Sequence, residues 1–120
     1  MSSQDTAVTI HPYFTVAENN LDAFKAITLQ LIERAKTEEG CLYYGFSYSG
    51  NTVFCREGYR NAEGLLAHLQ NVGDLIEQAL KISEMTRLEV HGNAAELEKL
   101  KEPLAEMPVQ FYTLESGFRN

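Results

Sequence analysis

Two aromatic-rich runs, Cys41 to Tyr48 and Thr52 to Tyr59, contain the residues best suited to chemistry in this sequence. Gly50-Asn51 stands between them, and such a pair between β-forming runs indicates a hairpin with a two-residue loop. The facing pairs in that register are Ser49 with Thr52, Phe46 with Cys55, Tyr44 with Glu57, and Leu42 with Tyr59. A carboxylate in such a setting can accept or return a proton.

One face of this predicted hairpin is an aromatic wall that carries a single carboxylate. The wall consists of Leu42, Tyr44, Phe46, Tyr48, Val53, Cys55, Glu57 and Tyr59. A partly buried carboxylate needs a hydrogen bond, and we expect the phenol of Tyr44 to supply it. Walls of this kind suit flat organic ligands, although an ordinary sheet core with one satisfied acid has the same pattern. On the other face, Gly45 and Gly58 predict room for a close helix.

His68 is the second residue that could transfer protons. Leu65 precedes it by three residues and Val72 follows it by four, so it lies on or beside the apolar stripe of a helix. A histidine in that position either bonds to a carboxylate at the core boundary or acts as a catalytic acid or base. His11 and His91 lie on predicted strands, where each would line an interior or a rim. The three histidines lack metal-ligand spacing, and we predict no metal site.

Composition narrows the classes of function. The chain has 120 residues, 44% of them hydrophobic and 22% charged, which predicts one globular domain over residues 1–120. A net charge of -7 disfavours binding to nucleic acid and to anionic membranes. No apolar stretch approaches the roughly 18 residues of a spanning helix, and the N-terminus lacks a secretory signal. Cys41 and Cys55 are therefore expected to be reduced thiols in a cytoplasmic protein.

The elements that must position these residues follow from periodicity and from capping signals. We predict strands at Val8–Val16, Cys41–Tyr48, Thr52–Tyr59, Thr86–His91 and Val109–Leu114. A helix begins at Asn19 or Asn20 and ends with Gly40 as a left-handed cap. A second helix runs from Asn61 to about Ile82, with a kink or break near Gly73. A short third helix begins at Asn93, with a capping box to Glu96. Pro12 should place the first strand at an edge or a bulge.

The order β-α-β-β-α-β predicts an α+β, ferredoxin-like fold, an antiparallel sheet with helices on one face and an extra C-terminal helix and strand. Within this frame, the run from Val53 to His68 resembles the signature segment of the antibiotic biosynthesis monooxygenase (ABM) family. The matching residues are Glu57, Tyr59, Ala67 and His68. The passage Glu39-Gly40-Cys41-Leu42-Tyr43-Tyr44 also fits that family. The resemblance covers roughly residues 8–92.

The resemblance implies a homodimer, the dimeric α/β barrel, with a pocket for a small aromatic molecule between sheet and helices. It implies a cofactor-independent monooxygenase that oxidises a phenolic, quinol or polyketide-like aromatic substrate with O2. His68, Glu57 and Tyr59 would be catalytic, with His68 or Glu57 as the base. Tyr44, Phe46, Cys55 and His11 would bind substrate. No cofactor or metal would be needed.

The sequence also departs from this family. It contains no tryptophan, and Tyr59 stands where active relatives commonly have one. Pro12 aligns with an asparagine of the haem-degrading relatives, which argues against haem degradation. Two alternatives remain open: a non-catalytic, small-molecule-binding or stress-related dimer, and an isomerase-like or decarboxylase-like enzyme that performs acid–base chemistry on a carbonyl compound.

Overall fold

The structure is a computed structural model that describes residues 5–120. Its elements are β1 (Val8–Thr15), α1 (Leu21–Ala35), β2 (Cys41–Ser49), β3 (Thr52–Tyr59), α2 (Ala62–Leu80), β4 (Glu84–Gly92), α3 (Ala94–Lys101) and β5 (Gln110–Thr113). The sheet order is β2-β3-β1-β4-β5, antiparallel except for the parallel pair β4-β5. The first four strands with α1 and α2 form the ferredoxin-like unit, and the predicted fold class is confirmed.

Strand β1 lies in the centre of the sheet, between β3 and β4. The edge position that Pro12 suggested is therefore wrong: Pro12 is aligned with Leu88 of β4. The alternative, a bulge, is found nearby, because the register against β4 shifts between Tyr13 and Phe14. A bulge relieves the pairing close to a residue that cannot donate a backbone hydrogen bond.

The hairpin of β2 and β3 keeps three of its four predicted pairs. Tyr44 lies opposite Glu57, and the pairs Phe46 with Cys55 and Ser49 with Thr52 are also formed. The pair of Leu42 with Tyr59 is wrong, because the register shifts between Cys41 and Tyr43 and Cys41 takes the position opposite Tyr59. The extra residue at Leu42 changes which side of β2 each residue faces beyond that point. In the loop, Gly50 adopts a positive φ of 58°.

All three helices pack on one side of the sheet, where alternate residues of β1 and β4 enter the core. The core residues of these strands and helices include Val8, Ile10, Phe14, Phe24, Leu31, Leu65, Val72, Leu75, Val90 and Leu97. The opposite side, here the helix-free face, carries Thr9, His11, Tyr13, Tyr43, Phe54, Arg56, Arg87, Glu89 and His91. None of the helices within residues 5–120 is long and apolar enough to cross a membrane.

The predicted roles of Gly40, Gly45 and Gly58 are wrong. Gly45 lies on the helix-free face, where an added Cβ would meet nothing within 4 Å. Helix α1 ends at Ala35, and Gly40 does not have a positive φ. Gly40 instead passes against α2, since an added Cβ would lie 2.9 Å from Cα of Gly64. Gly58 leaves room for the ring of Tyr43, not for a helix, because a Cβ there would lie 2.5 Å from Cζ of Tyr43. Of the kink or break predicted near Gly73, the break is wrong, because α2 is continuous from Ala62 to Leu80.

Candidate acid–base site

Four titratable side chains meet where α2 crosses the end of the hairpin. We call them the acid–base cluster: Glu38, Glu57, Tyr59 and His68.

Helix α2 begins at the predicted cap, with the Asn61 side chain accepting from the Gly64 N–H at 2.8 Å. The predicted capping box of α3 is formed only in part. Asn93 accepts from the Glu96 N–H, but the Glu96 carboxylate accepts instead from the N–H of Ala62 at 2.9 Å. This contact ties α3 to the start of α2.

The imidazole of His68 is buried and is held by the carboxylate of Glu38. Nδ1 of His68 lies 2.9 Å from both carboxylate oxygens, and Nδ2 of Asn71 donates to Oε2 of Glu38 at 2.8 Å. Because a carboxylate accepts, Nδ1 carries the proton of the neutral ring and Nε2 is left unprotonated. Burial lowers the pKa of His68, and the charge and hydrogen bond of Glu38 oppose that effect. His68 is therefore neutral at neutral pH.

The local sequence pattern does not point to Glu38. The signal for it is indirect: a histidine on an apolar stripe commonly bonds to a carboxylate, and the sequence does not say which one. Glu38 lies in the segment between α1 and β2, 30 residues before His68 in the chain. Only the packing of this segment against α2 selects Glu38 over its neighbour Glu39, which is exposed.

Glu57 is buried on the other side of the His68 ring. Its Oε1 lies 3.5 Å from Nε2 of His68 and accepts a hydrogen bond of 2.5 Å from the hydroxyl of Tyr59. Tyr59 thus takes the role expected of Tyr44. Burial raises the pKa of Glu57 to about 7, although the hydrogen bonds from Tyr59 and Cys55 lower it. Glu57 is therefore present in both protonation states near neutral pH.

The aromatic wall encloses this cluster. The rings of Tyr44 and Tyr59 each lie 5.0 Å from the ring of His68, and Phe46 packs edge-on against Tyr44 at 5.4 Å. Burial raises the pKa of both tyrosines and of the Cys55 thiol. These groups stay protonated near neutral pH and act as hydrogen-bond donors.

A cavity of about 250 Å³ opens beside the cluster, lined by Ile32, Ala35, Lys36, Glu38, Cys41, Leu42, Tyr43 and Tyr44. Glu38 and Tyr44 reach this cavity directly, while His68, Glu57 and Tyr59 lie behind them. Burial and the charges of Glu38 and Glu57 raise the pKa of Cys41 to about 11, so its thiol is protonated and a poor nucleophile. A ligand here would contact an oriented carboxylate and a phenol.

The structure brings together most of the site residues predicted from sequence. His68, Glu57, Tyr59, Tyr44, Phe46 and Cys55 lie on the helix side of the sheet. His11 does not join them, because it points to the helix-free face, where its ring lies 4.4 Å from the ring of His91. The catalytic and binding roles of all seven remain predictions. Within residues 5–120, no group of three or more His, Cys, Asp or Glu side chains is arranged to hold a metal ion.

One solved structure is similar to this chain over its whole length. No family model matches the chain, and no curated protein matches it. Among solved structures, MupZ from Pseudomonas fluorescens is 43% identical, with a TM-score of 0.95, over 100% of this chain and 94% of MupZ.

Two more distant structures share the fold. Each is described as a "putative antibiotic biosynthesis monooxygenase". The protein from Nitrosomonas europaea is 16% identical, with a TM-score of 0.69, over 78% of this chain and 96% of its own. The protein from Caulobacter crescentus is 17% identical, with a TM-score of 0.66, over 72% and 88%. The similarity to MupZ extends over nearly the whole of both chains, and the shared fold is that of the monooxygenase-like proteins. The chain therefore belongs to the same family as MupZ, and it shares its fold with the two proteins described as putative antibiotic biosynthesis monooxygenases.

Proposed function

We propose that this chain is an enzyme that moves a proton through His68 and Glu57, and that its reaction is cofactor-independent monooxygenation. One observation carries the proposal: the neutral His68, oriented by Glu38, presents Nε2 at 3.5 Å from a buried Glu57 whose pKa is about 7. Pairs of buried acid and base tuned to neutral pH are typical of catalytic sites. The substrate would be a small phenolic, quinol or polyketide-like aromatic held against Tyr44.

In this reaction the protein removes a proton and the substrate supplies the electrons. The substrate binds in the cavity beside Tyr44, and its phenolic proton passes to His68 or Glu57. The resulting phenolate transfers electrons to O2. For a quinol such as 1,4-dihydroxynaphthalene, one ring C–H becomes C–OH and the two hydroxyl groups become the carbonyls of a quinone. One oxygen atom of O2 enters the product, and the other leaves as water. The hydroxyl of Tyr44, which lines the cavity, remains protonated and stabilises the oxyanion. Tyr59 contributes by holding Glu57 through its hydrogen bond.

Oxygen uptake with 1,4-dihydroxynaphthalene tests this proposal. We expect oxygen uptake above the spontaneous rate without added metal or flavin. In His68→Gln we expect this rate to fall by about 100-fold or more. Gln70→Ala, an exposed change on the same helix, is the matched control and should keep the rate. An unchanged rate in a folded His68→Gln variant would remove His68 from the mechanism.

A second candidate is acid–base chemistry on a carbonyl compound without oxygen. It is favoured by Glu57, which is partly protonated near pH 7 and can donate a proton while His68 accepts one. Deuterium exchange at the carbon next to the carbonyl of 2-tetralone, followed under nitrogen, separates the two reactions. Anaerobic exchange that needs His68 supports the second candidate. Ligand binding with neither exchange nor oxygen uptake supports a non-catalytic binding protein.

We also propose that the functional unit is a homodimer in the cytoplasm. The helix-free face carries aromatic and imidazole rings that are only half buried in one chain, including those of Tyr13, Phe54 and His91. A second copy would cover them. Cys41 and Cys55 are both free thiols, in keeping with a reducing compartment.

A further inference from the structure

Asn71 follows His68 by three residues on α2 and contacts the carboxylate that holds the His68 ring. Its Nδ2 donates to Oε2 of Glu38 at 2.8 Å and to the backbone carbonyl of Arg34, in the last turn of α1, at 3.2 Å. Residues three apart lie on the same side of a helix, so Asn71 and His68 can reach one carboxylate. Both partners of the amide are acceptors, so its NH2 group and not its oxygen must face them.

The amide of Asn71 is fixed by the packing of α1 on α2. Nη1 of Arg34 donates to the backbone carbonyl of Asn71 at 3.1 Å, and Arg34 also forms an ion pair with Asp74. The contact is reciprocal, because each of the two residues donates from its side chain to the backbone carbonyl of the other. Asn71 therefore stands on two helices held against each other, which gives it a rigid base from which to hold a third group.

Glu38 needs such a holder. Its side chain is 8% exposed and borders the 250 Å³ cavity, and it belongs to the segment between α1 and β2 rather than to a helix or strand. Both of its carboxylate oxygens lie 2.9 Å from the same nitrogen, Nδ1 of His68, which has a single proton to donate. One proton shared by two oxygens leaves the carboxylate free to rotate or to turn into the cavity. The bond from Asn71 to Oε2 removes that freedom.

We propose that Asn71 is a positioning residue that sets the tautomer of His68 through Glu38, an inference that rests on the acid–base role proposed above for His68. While Glu38 is held at Nδ1, the proton of the neutral ring stays there and Nε2 keeps the lone pair that accepts a proton. The other tautomer carries its proton on Nε2, 3.5 Å from Oε1 of Glu57, and cannot act as a base at that atom.

The tautomer of His68 can be measured without a substrate, from long-range nitrogen–proton correlations of its ring at about pH 8, where the ring is neutral. Asn71→Leu keeps the branch at Cγ and removes both donors. We expect the ratio of the Nδ1–H to the Nε2–H tautomer to fall by about fivefold or more, the effect of one lost hydrogen bond. Asn71→Ala, which inserts a better helix former, takes its place if Asn71→Leu does not fold.

Asp74→Asn is the matched control, because it breaks the ion pair of Arg34 at the same helix contact and leaves the amide of Asn71 in place. It should keep the tautomer ratio. Oxygen uptake with 1,4-dihydroxynaphthalene gives a second measurement. In Asn71→Leu we expect kcat to fall by about fivefold or more with KM unchanged within about twofold, since the tautomer affects proton transfer and not substrate binding.

An unchanged tautomer ratio in the folded Asn71 variant would overturn this inference. An equal fall of the ratio in Asp74→Asn would overturn it as well, because loosening of the helix contact would then be the cause. Absence of oxygen uptake in the natural chain would count against the monooxygenation proposed above, and the tautomer ratio would then decide the role of Asn71 by itself.

Discussion

Glu57 is a carboxyl group in the core, and the molecule tolerates it because Tyr59 donates to it and because it can hold a proton. Its folded pKa of about 7 lies above the ordinary value of 4.5. The folded chain therefore binds more protons than the unfolded chain between those pH values. By linkage, this carboxyl favours folding most below pH 4.5, and its contribution is lost as the pH rises through 7.

Glu57→Gln should remove this pH dependence while keeping an acceptor for Tyr59. We expect the free energy of unfolding of the natural chain to fall by about 3 kcal/mol more than that of Glu57→Gln as the pH rises from about 4.5 to 8. Urea unfolding across this pH series measures the difference. The exposed Glu77→Gln is the control and should follow the natural chain. Parallel curves for Glu57→Gln would contradict the raised pKa.

Glu38→Gln tests the orienting role of the second carboxylate. Burial lowers the pKa of His68, and the charge of Glu38 opposes that effect. Without this charge, we expect the pKa of His68 to fall further. An NMR titration of the His68 ring measures this directly and does not require a substrate. Glu39→Gln, the adjacent exposed acid, is the matched control. An unchanged pKa of His68 in Glu38→Gln would show that the Glu38 carboxylate does not hold the ring.

At the scale of elements, the start of α2 fixes the site. Gly40 and Gly64 bring the segment before β2 against the first turn of α2, and the carbonyl of Gly40 accepts from the N–H of Arg60 at 2.8 Å. Glu38 lies two residues before Gly40 and reaches His68, one turn beyond Gly64. This close approach of two backbones is what lets the Glu38 carboxylate meet the His68 imidazole.

Two alanine substitutions separate this contact from ordinary glycine flexibility. Gly40→Ala places a Cβ 2.9 Å from Cα of Gly64 and should destabilise the fold by about 1–3 kcal/mol. Gly73→Ala meets nothing within 4 Å on an exposed helical turn and should stabilise it by about 1 kcal/mol. Chemical denaturation measures both changes. A neutral Gly40→Ala would mean that the backbones separate at little cost.

At the scale of the whole molecule, the two sides of the sheet differ in what covers them. The helix side is closed by three helices, whereas the helix-free face carries charged and aromatic groups in alternation, among them Arg56 stacked on Tyr43 at 4.2 Å. The C-terminal segment covers part of this face near Gly92. A second copy of the chain is the partner we propose for the rest.

Sedimentation equilibrium tests that proposal. We expect the natural chain to have the mass of two chains, and Phe54→Glu to shift it toward one by placing a charge beside Tyr13 on the helix-free face. Leu29→Glu, which changes a 66% exposed leucine on the outer surface of α1, should leave the dimer intact. A Phe54→Glu variant that remains fully dimeric would place the contact elsewhere.

Local sequence determined a large part of this protein. The alternation of apolar residues, the Gly50-Asn51 turn and the caps at Asn61 and Asn93 predicted the order of elements and three hairpin pairs, because these signals act over a few residues. The same signals placed Glu57 and Tyr44 opposite each other. They also placed His68 on the buried stripe of its helix.

Tertiary structure decided what these residues do to one another. Glu38 pairs with His68, Tyr59 rather than Tyr44 donates to Glu57, and the bulge at Leu42 changes which residue faces Tyr59. His11 turns to the helix-free face, although its sequence neighbourhood does not show it. Each of these outcomes depends on contacts between residues distant in the chain or on one extra residue in a strand, and neither leaves a local pattern.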